Sequence, residues 1–447
     1  MIALDPMRLS AVDLAAAIAD GTCSSEEVVE ACLARIAEVD PAIEAFAFLD
    51  PDHARLQAKH ADALRRSGRP IGPLHGVPVG VKDIIDTKDM PTENGTILDA
   101  GRRPAKDAAL VARLRAAGAI VLGKTVTTEL AYYAPNKTKN PQDPTRTPGG
   151  SSSGSAAAVA AGMVPLAIGT QTNGSVIRPA AFCGTVGYKP SFGLIPRTGV
   201  LAQSYHLDTV GTFGRSVADA ALLADCLIGQ DDGDKATAPI APPGLLAAAR
   251  SDPPLAPVFA FVKTPVWNRA EPTTKNAFAE LADMLGERCD PVDLPEPFAR
   301  GHDLQRQLMT GGFSYNLAAY ETRGRAQLSR HMQDAIDAGR EVRAHDYLRA
   351  ADWIEVLNAG LDEIFKRYDA ILTPAAPGVA PRGVESTGDP AFCTLWTLCG
   401  TPAITLPLLE GEDSLPLGVQ LVGARGDDAR LMRTAAALMN SLAQTDR

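Results

Sequence analysis

The sequence lacks the cysteine pattern of a disulfide scaffold or a zinc site. Its cysteines are odd in number, never occur in CxxC spacing, and are scattered along the chain as Cys23, Cys32, Cys183, Cys226, Cys289, Cys393 and Cys399. Secreted domains that depend on disulfides carry paired cysteines, whereas proteins of reducing compartments keep free thiols. We therefore expect a cytoplasmic protein.

The sequence also lacks an excess of basic residues, a long apolar run and a histidine motif for a metal. Its net charge is −10, which disfavours nucleic acid and anionic membranes as partners. The longest run of low charge, 154–169, is too short to span a bilayer. The seven histidines show no spacing such as HExxH, so we expect no metal site.

What the sequence does contain is the composition of a globular α/β protein. Of 447 residues, 45% are hydrophobic and 21% are charged, a balance that argues against extended disorder. Helical and strand patterns alternate, which predicts an α/β fold with a mixed, largely parallel β-sheet covered by helices on both faces. We expect a single domain over 1–447, in which 230–365 forms a variable helical cap.

Capping signals and periodicity place the main elements. Ser10 and Ser24 each open an amphipathic run, and 230–256 has no periodic segment. The predicted helices are segments of 8–70, 108–117, 272–285, 303–365 and 427–442. The predicted strands are 74–83, 119–123, 258–262, 370–373, 403–406 and 418–422. Over 155–170 the pattern predicts a buried helix followed by a strand.

Two loops rich in glycine and serine, 149–155 and 169–175, stand out, together with Lys82 in an apolar strand upstream. Glycine lets the backbone approach a ligand closely, so a serine among glycines can be presented to a substrate. No histidine is nearby in sequence, which leaves Lys82 as the candidate base. Taken singly, such loops are also typical of plain turns, and a lysine at a strand end is typical of the surface.

Seven blocks of the chain resemble the amidase signature family, in the right order and over nearly the whole length. The blocks are 76–83, 148–162, 174–184, 207–211, 372–374, 400–403 and 418–423. The resemblance implies the amidase signature fold and a hydrolase acting on linear amide C–N bonds. It implies no cofactor, a small-molecule amide as substrate and a homodimer as the usual state.

By that resemblance Ser175 is the nucleophile, Ser151 the bridging serine and Lys82 the base, a Ser-cisSer-Lys triad. The family spaces its two serines as they are spaced here, and holds the bridging serine through a cis peptide bond, which would be Gly150–Ser151. A lysine desolvated among apolar neighbours has its charged form disfavoured. As a neutral amine it can accept the serine proton through the Ser151 hydroxyl.

The resemblance also assigns an oxyanion hole to the backbone N–H groups of Thr172, Asn173, Gly174 and Ser175. Two residues depart from the common pattern: Asn173 stands where glycine is frequent and Gln171 where aspartate is frequent. Asparagine tolerates the left-handed backbone region better than most residues, so we expect the loop to be preserved. Arg178 stands one position later than in many relatives, which leaves its contacts open.

Further residues are candidate substrate contacts. Two adjacent tyrosines lie where the family often lines its acyl pocket, although exposed loop tyrosines would look the same in sequence. The candidates are Leu130, Tyr132, Tyr133, Gln171 and His206. Asp208, like Arg178, is either a structural partner or a substrate contact.

Other functions stay open at this point. The same machinery could act on an aryl ester, a carbamate or a hydrazide, or serve as the glutamine-cleaving subunit of an amidotransferase. A non-catalytic ligand-binding relative is a third alternative, and a Ser-His-Asp triad could use His206. The segment 118–125 matches the P-loop pattern, but a helix precedes it and a strand occupies its middle, which disfavours nucleotide binding.

Overall fold

The computed structural model describes residues 6–445, in which eleven strands form one sheet. The strands are β1 Phe46–Leu49, β2 Pro78–Lys82, β3 Ile120–Thr125, β4 Leu166–Gln171, β5 Val186–Lys189, β6 Thr209–Gly214, β7 Phe259–Val262, β8 Cys289–Val292, β9 Ala370–Pro374, β10 Ala403–Glu410 and β11 Pro416–Val422.

Fifteen α-helices connect and cover these strands within the described residues. They are α1 Ala11–Asp20, α2 Ser25–Ile43, α3 Pro51–Arg66, α4 Ala109–Ala116, α5 Ser153–Ala160, α6 Ile177–Cys183, α7 Val217–Leu227, α8 Leu245–Ala249, α9 Pro272–Leu285, α10 Gly301–Asn316, α11 Ala318–Gly324, α12 Arg330–Arg340, α13 Ala344–Phe365, α14 Ala391–Leu398 and α15 Asp428–Thr445.

The strand order is β1-β3-β2-β4-β6-β5-β10-β11-β9-β7-β8. Parallel pairs occur in two blocks, β3-β2-β4 and β9-β7-β8. The pairs between these blocks, and β1 with β3, are antiparallel. The predicted mixed α/β sheet is confirmed.

Both faces of the sheet are covered, as β7 illustrates. Phe259 and Phe261 join a core cluster with residues of α2, α7 and α15, whereas Ala260 and Val262 join a cluster with residues of α10, α13 and α14. Because successive side chains of a strand point to opposite faces, the two clusters lie on opposite sides of the sheet.

Local sequence signals account for several element boundaries. Ser24 accepts the N–H of Glu27 while the Glu27 carboxylate accepts the N–H of Ser24, the predicted capping box. Ser10 caps α1 through the N–H of Asp13. The helix predicted over 272–285 has those bounds. Strands β1, β5, β6 and β8 and helices α6, α7, α8 and α14 were not predicted. Apart from α7, these segments have four to eight residues, which gives too little periodicity to recognise.

The interval 230–365 contributes both strands and helices. Strands β7 and β8 belong to the main sheet, so this part of the predicted helical cap is wrong. Helices α10–α13 occupy 301–365, and a cap formed by them stays a prediction, as does the single domain. Within residues 6–445, no helix combines the length and apolar character that a bilayer span requires.

Candidate active site

Lys82 is the last residue of strand β2. The neighbouring strand β4 carries Thr170, whose hydroxyl contacts the Lys82 amine. The two strands are parallel, with Val81 opposite Ile168, so their carboxyl ends lie at the same edge of the sheet. Lys82 Nζ lies 2.8 Å from Ser151 Oγ and 2.8 Å from Thr170 Oγ1. The side chain is 0% exposed, and this burial holds the pKa of Lys82 well below its ordinary value.

The loop before α5 carries Ser151 and is fixed by its neighbouring serines. The peptide bond Gly150–Ser151 is cis, as predicted. The Ser152 hydroxyl donates to the Thr170 carbonyl and accepts the Thr170 N–H, both at 3.2 Å. Ser153 donates to the carbonyl of Val126 and Ser155 to that of Ile168 in β4, so these serines are scaffold, as predicted.

Arg178 holds the carbonyl of Gly150 from helix α6. Its guanidinium donates to Gly150 O at 2.7 Å, to Gly388 O at 2.8 Å and to Thr387 Oγ1 at 3.2 Å. The residue is 1% exposed and therefore has no open side toward a substrate. Of the two roles left open by the sequence, the structure gives Arg178 the structural one.

Ser175 lies between β4 and α6 and is partly exposed. The two serine loops are joined through the backbone, where the Ser152 N–H donates to the Ser175 carbonyl at 3.4 Å. Among residues 6–445, no side-chain hydrogen bond involves the Ser175 hydroxyl, so the structure joins Lys82 to Ser151 by a hydrogen bond but does not join Ser175 to Ser151 in the same way.

The loop 172–175 presents backbone N–H groups with no partner in the described part of the chain. It precedes helix α6, and the N–H groups of Thr172, Asn173, Gly174 and Ser175 donate to no other described residue. A side chain at position 174 would meet Pro390 Cβ at 2.9 Å, so only glycine lets this loop pack here. Unpaired N–H groups on one short loop are the donors that an oxyanion needs.

The Gln171 side chain is hydrogen-bonded to the residues that directly follow this loop. Its Oε1 accepts the N–H of Val176 at 2.8 Å and of Ile177 at 3.0 Å, and its Nε2 donates to Thr397 Oγ1 at 2.9 Å. The side chain is 1% exposed. The predicted substrate contact at Gln171 is therefore wrong, because its amide is enclosed and bonded to the protein itself.

We expect Gln171→Ala to lower the free energy of unfolding by about 1–3 kcal/mol, because two enclosed N–H groups lose their acceptor. Gln171→Glu keeps an acceptor at the same place and serves as the matched control, with most of the stability retained. Urea titration of both variants measures the difference. An alanine variant as stable as the parent would contradict this role.

The side chain of Asn173 forms hydrogen bonds that fix its position in the loop. It has no positive φ, so the expected use of the left-handed region is wrong. Instead Nδ2 donates to Tyr133 Oη at 3.0 Å and Oδ1 accepts from Thr394 Oγ1 at 2.8 Å. An asparagine at this position therefore connects loop 172–175 to Tyr133.

A cavity of about 460 Å³ opens beside Asn173. Tyr132 and Tyr133 line it, with ring centroids 4.4 Å apart; both are partly buried and so differ from exposed loop tyrosines. Its charged and titratable lining consists of Arg269, His302, Arg306, His331, Asp334 and Asp389.

A second cavity, of about 320 Å³, is lined by Thr170, Thr172, Asp208 and Arg197 among others. Asp208 Oδ1 lies 2.6 Å from Thr172 Oγ1, and Oδ2 accepts the N–H groups of Gln203 and Ser204. Asp208 is therefore a structural partner of loop 172–175. Sequence reasoning found neither this contact nor the Lys82–Thr170 contact.

Two further predicted substrate contacts fall elsewhere. Leu130 is 0% exposed within the second core cluster, so its side chain has no free surface for a substrate. His206 lies against Tyr205 and Tyr347, with ring centroids 5.2 and 5.8 Å away, and lines neither cavity. Among residues 6–445 no histidine is hydrogen-bonded to Ser151 or Ser175, so a Ser-His-Asp triad is not formed there.

Comparison with known proteins decides the family. The sequence profile described as Amidase matches residues 27–432. The chain belongs to the amidase family. A glutamyl-tRNA(Gln) amidotransferase subunit from Chloroflexus aurantiacus is 36% identical to it over 94% of both chains.

Solved structures agree with this family. The peptide amidase of Stenotrophomonas maltophilia matches with a TM-score of 0.84 and 32% identity, over 98% of this chain and 97% of that one. A 6-aminohexanoate cyclic dimer hydrolase matches with a TM-score of 0.86 and 26% identity, over 99% of both chains. This amidase is a hydrolase acting on amide C–N bonds.

The P-loop match of the amidase is not a phosphate site. Residues 120–125 form β3, and Lys124 is 0% exposed. Its ammonium donates to Ile85 O, Pro91 O and Thr92 Oγ1 and lies 3.2 Å from Asp83 Oδ1. Within the described ranges the amidase contains no cluster of three metal-ligating side chains.

Proposed function

We propose that this amidase cleaves the C–N bond of a small carboxamide through an acyl-enzyme on Ser175, with Ser151 as proton relay and Lys82 as base. The observation that carries the proposal is the 2.8 Å contact between the buried amine of Lys82 and the Ser151 hydroxyl. A serine hydroxyl needs a neighbouring base to become a nucleophile. Burial favours the uncharged form of the Lys82 amine, and an uncharged amine can take that proton.

In the first half-reaction the Ser175 hydroxyl passes its proton to Ser151, and Ser151 passes its own proton to Lys82. The Ser175 oxygen bonds to the carbonyl carbon, and the resulting oxyanion accepts from the N–H groups of 172–175. The proton then returns through Ser151 to the leaving nitrogen as the C–N bond breaks. In the second half-reaction, water attacks the acyl-enzyme by the same proton route.

The proposed relay requires the Ser175 hydroxyl to form a hydrogen bond to Ser151 once the substrate is bound. Such catalytic hydrogen bonds are often long in unliganded enzymes and shorten in the substrate complex. The backbone bond between Ser152 and Ser175 keeps the two loops adjacent, which supports this hydrogen bond.

The cavity beside Asn173 supports a small-molecule substrate. Tyr132 and Tyr133 line the side nearest the oxyanion loop, which supports contact with the acyl part of the substrate. The alternatives with an aryl ester, a carbamate or a hydrazide would use the same residues. Matched substrates that share one acyl group and differ only in the leaving group distinguish these alternatives by their kcat/KM.

Labelling with a fluorophosphonate tests the nucleophile. We expect a covalent adduct on Ser175, found by mass spectrometry of the digested protein, and loss of activity in proportion to labelling. Prior incubation with substrate is expected to slow the labelling. An adduct confined to another residue, or full labelling with unchanged activity, would contradict the proposed nucleophile.

A second candidate function is favoured by the relatives named as amidotransferase subunits. In that case the same triad would cleave glutamine and deliver ammonia to a partner protein. We expect free L-glutamine to be hydrolysed only with a second protein and ATP under this alternative, whereas the first proposal requires carboxamide turnover by the isolated chain. A homodimer stays a prediction.

A further inference from the structure

The hydroxyl of Thr172 lies between two oxygen atoms that both normally accept hydrogen bonds. Thr172 Oγ1 is 2.6 Å from Asp208 Oδ1 and 2.7 Å from Gln203 Oε1. A threonine hydroxyl carries one proton and donates to one acceptor only. The second short contact therefore needs a proton from the other partner.

The orientation of the Gln203 amide shows which partner accepts. Its Nε2 lies 2.5 Å from the carbonyl oxygen of Leu130. Exchanging the amide nitrogen and oxygen would bring two oxygen atoms together there, so Oε1 must face Thr172. Because Oε1 has no proton to give, the Thr172 proton points to Gln203.

The remaining contact, between Thr172 Oγ1 and Asp208 Oδ1, then has a proton only if the carboxyl supplies it. Asp208 Oδ2 is occupied by the N–H groups of Gln203 and Ser204, at 2.8 and 2.9 Å, so the proton belongs on Oδ1. We infer that Asp208 is a protonated, neutral carboxylic acid in the resting enzyme. A chain of hydrogen bonds then runs from Asp208 to Thr172, from Thr172 to Gln203, and from Gln203 to the Leu130 carbonyl.

A buried aspartate elsewhere shows the contrast. Asp62 is 0% exposed, and its two oxygens accept the N–H groups of Ser25 and Glu26 at 2.8 and 3.1 Å. No acceptor faces Asp62 within the described residues, so its contacts are those of a carboxylate. Burial alone therefore does not distinguish the two aspartates, and the pattern of donors and acceptors does.

Electrostatics agree with a neutral Asp208. Its enclosure raises the pKa of this carboxyl. Arg197 opposes that shift, but it is already paired with Asp234 at 2.8 Å. The charged and titratable groups around Asp208 are Lys82, Arg197, Tyr205, His206, Asp234, Lys235 and Tyr347.

The charge on Asp208 matters for Lys82. An ionised Asp208 would raise the pKa of Lys82 against the effect of burial, whereas a neutral one leaves burial unopposed. Asp208 thereby acts as a positioning residue: it holds Thr172, whose N–H belongs to the oxyanion loop, without adding a charge that would keep the lysine protonated. This consequence for catalysis rests on the proposed function; the protonation of Asp208 does not.

Asp208→Asn tests the consequence. The asparagine Nδ2 donates to Thr172 where the acid proton did, and its oxygen accepts the same two N–H groups. We expect the acid limb of the pH–rate profile to lie at the same pH as in the parent. If Asp208 were ionised, removing its charge would lower the Lys82 pKa and move the acid limb to lower pH, which would overturn the inference.

Infrared spectroscopy tests the protonation itself, without turnover. At neutral pH we expect the parent to show the carbonyl stretch of a protonated carboxyl, shifted in D₂O. The band should be absent from Asp208→Asn and retained in the matched control Asp62→Asn. In the parent and in Asp62→Asn alike, the band should disappear at high pH. No such band in the parent at neutral pH would overturn the inference, even if the amidase mechanism held.

Discussion

Ser175→Ala is expected to abolish amide hydrolysis, with kcat reduced on the order of 10⁴- to 10⁶-fold. The alanine variant keeps the oxyanion N–H groups and the Lys82–Ser151 contact, but it has no oxygen to form the acyl-enzyme. Since the Ser175 hydroxyl has no side-chain partner within the described structure, its removal should leave the free energy of unfolding almost unchanged. Steady-state turnover and urea titration measure the two effects separately.

Ser153→Ala is the matched control for this variant. Ser153 lies two residues beyond Ser151, is 3% exposed and donates to the Val126 carbonyl at 3.3 Å. We expect the control to lose about 1 kcal/mol of stability and to keep its activity. Persistent turnover in Ser175→Ala, after purification away from host amidases, would exclude Ser175 as the nucleophile.

The pair Lys82 and Ser151 could be predicted from the sequence, whereas the second partner of Lys82 could not. The resemblance to the amidase signature family, together with the apolar neighbours of Lys82, predicted a buried lysine. The spacing of the two serine loops, which matches that of the family, predicted Ser151 as its partner. Thr170 carries no such signal, because a threonine inside a strand is common for packing alone. Its role follows from the register of β2 against β4, which only the fold provides.

The substrate side of the site was predicted less well, for a related reason. In the sequence, Leu130 stands two residues before Tyr132, and Gln171 stands next to Thr172. In the fold, the Leu130 side chain is buried in the core, and the Gln171 side chain accepts the N–H of Val176, just beyond loop 172–175. Position along the chain does not determine the direction of a side chain in an irregular loop, so Tyr132 and Tyr133 reach the cavity while their neighbours do not.

The proton chain at Asp208 also depends on distant parts of the sequence. Thr172, Gln203 and Leu130 come from three separate loops, and none of them forms a motif with Asp208 along the chain. The block around Asp208 indicated that the residue belongs to the site. Its charge state follows only from the order of donors and acceptors in space.

Lys82→Met is expected to lower kcat by at least 10³-fold, roughly the upper part of the range for loss of a general base. Methionine has a similar length and fits an apolar site, but it cannot accept the proton that Ser151 relays. Lys82→Arg serves as the comparison, because arginine keeps donors near Ser151 and stays charged. We expect both variants to be inactive and Lys82→Ala to regain part of the lost activity when small primary amines are added.

The same variant tests the charge of Lys82 through stability. A lysine that is neutral in the fold binds its proton only on unfolding, so the unfolded chain holds one more proton between the lowered folded pKa and about pH 10.4. Within that window this residue adds about 1.4 kcal/mol to the free energy of unfolding for each unit by which the pH rises. The contribution is lost as the pH is lowered. Lys82→Met removes this contribution, so its stability should rise less steeply with pH than that of the parent. Equal slopes for the two proteins, measured by urea titration from pH 7 to about pH 9.5, would mean that the lysine is charged in the fold, and a charged ammonium cannot be the base.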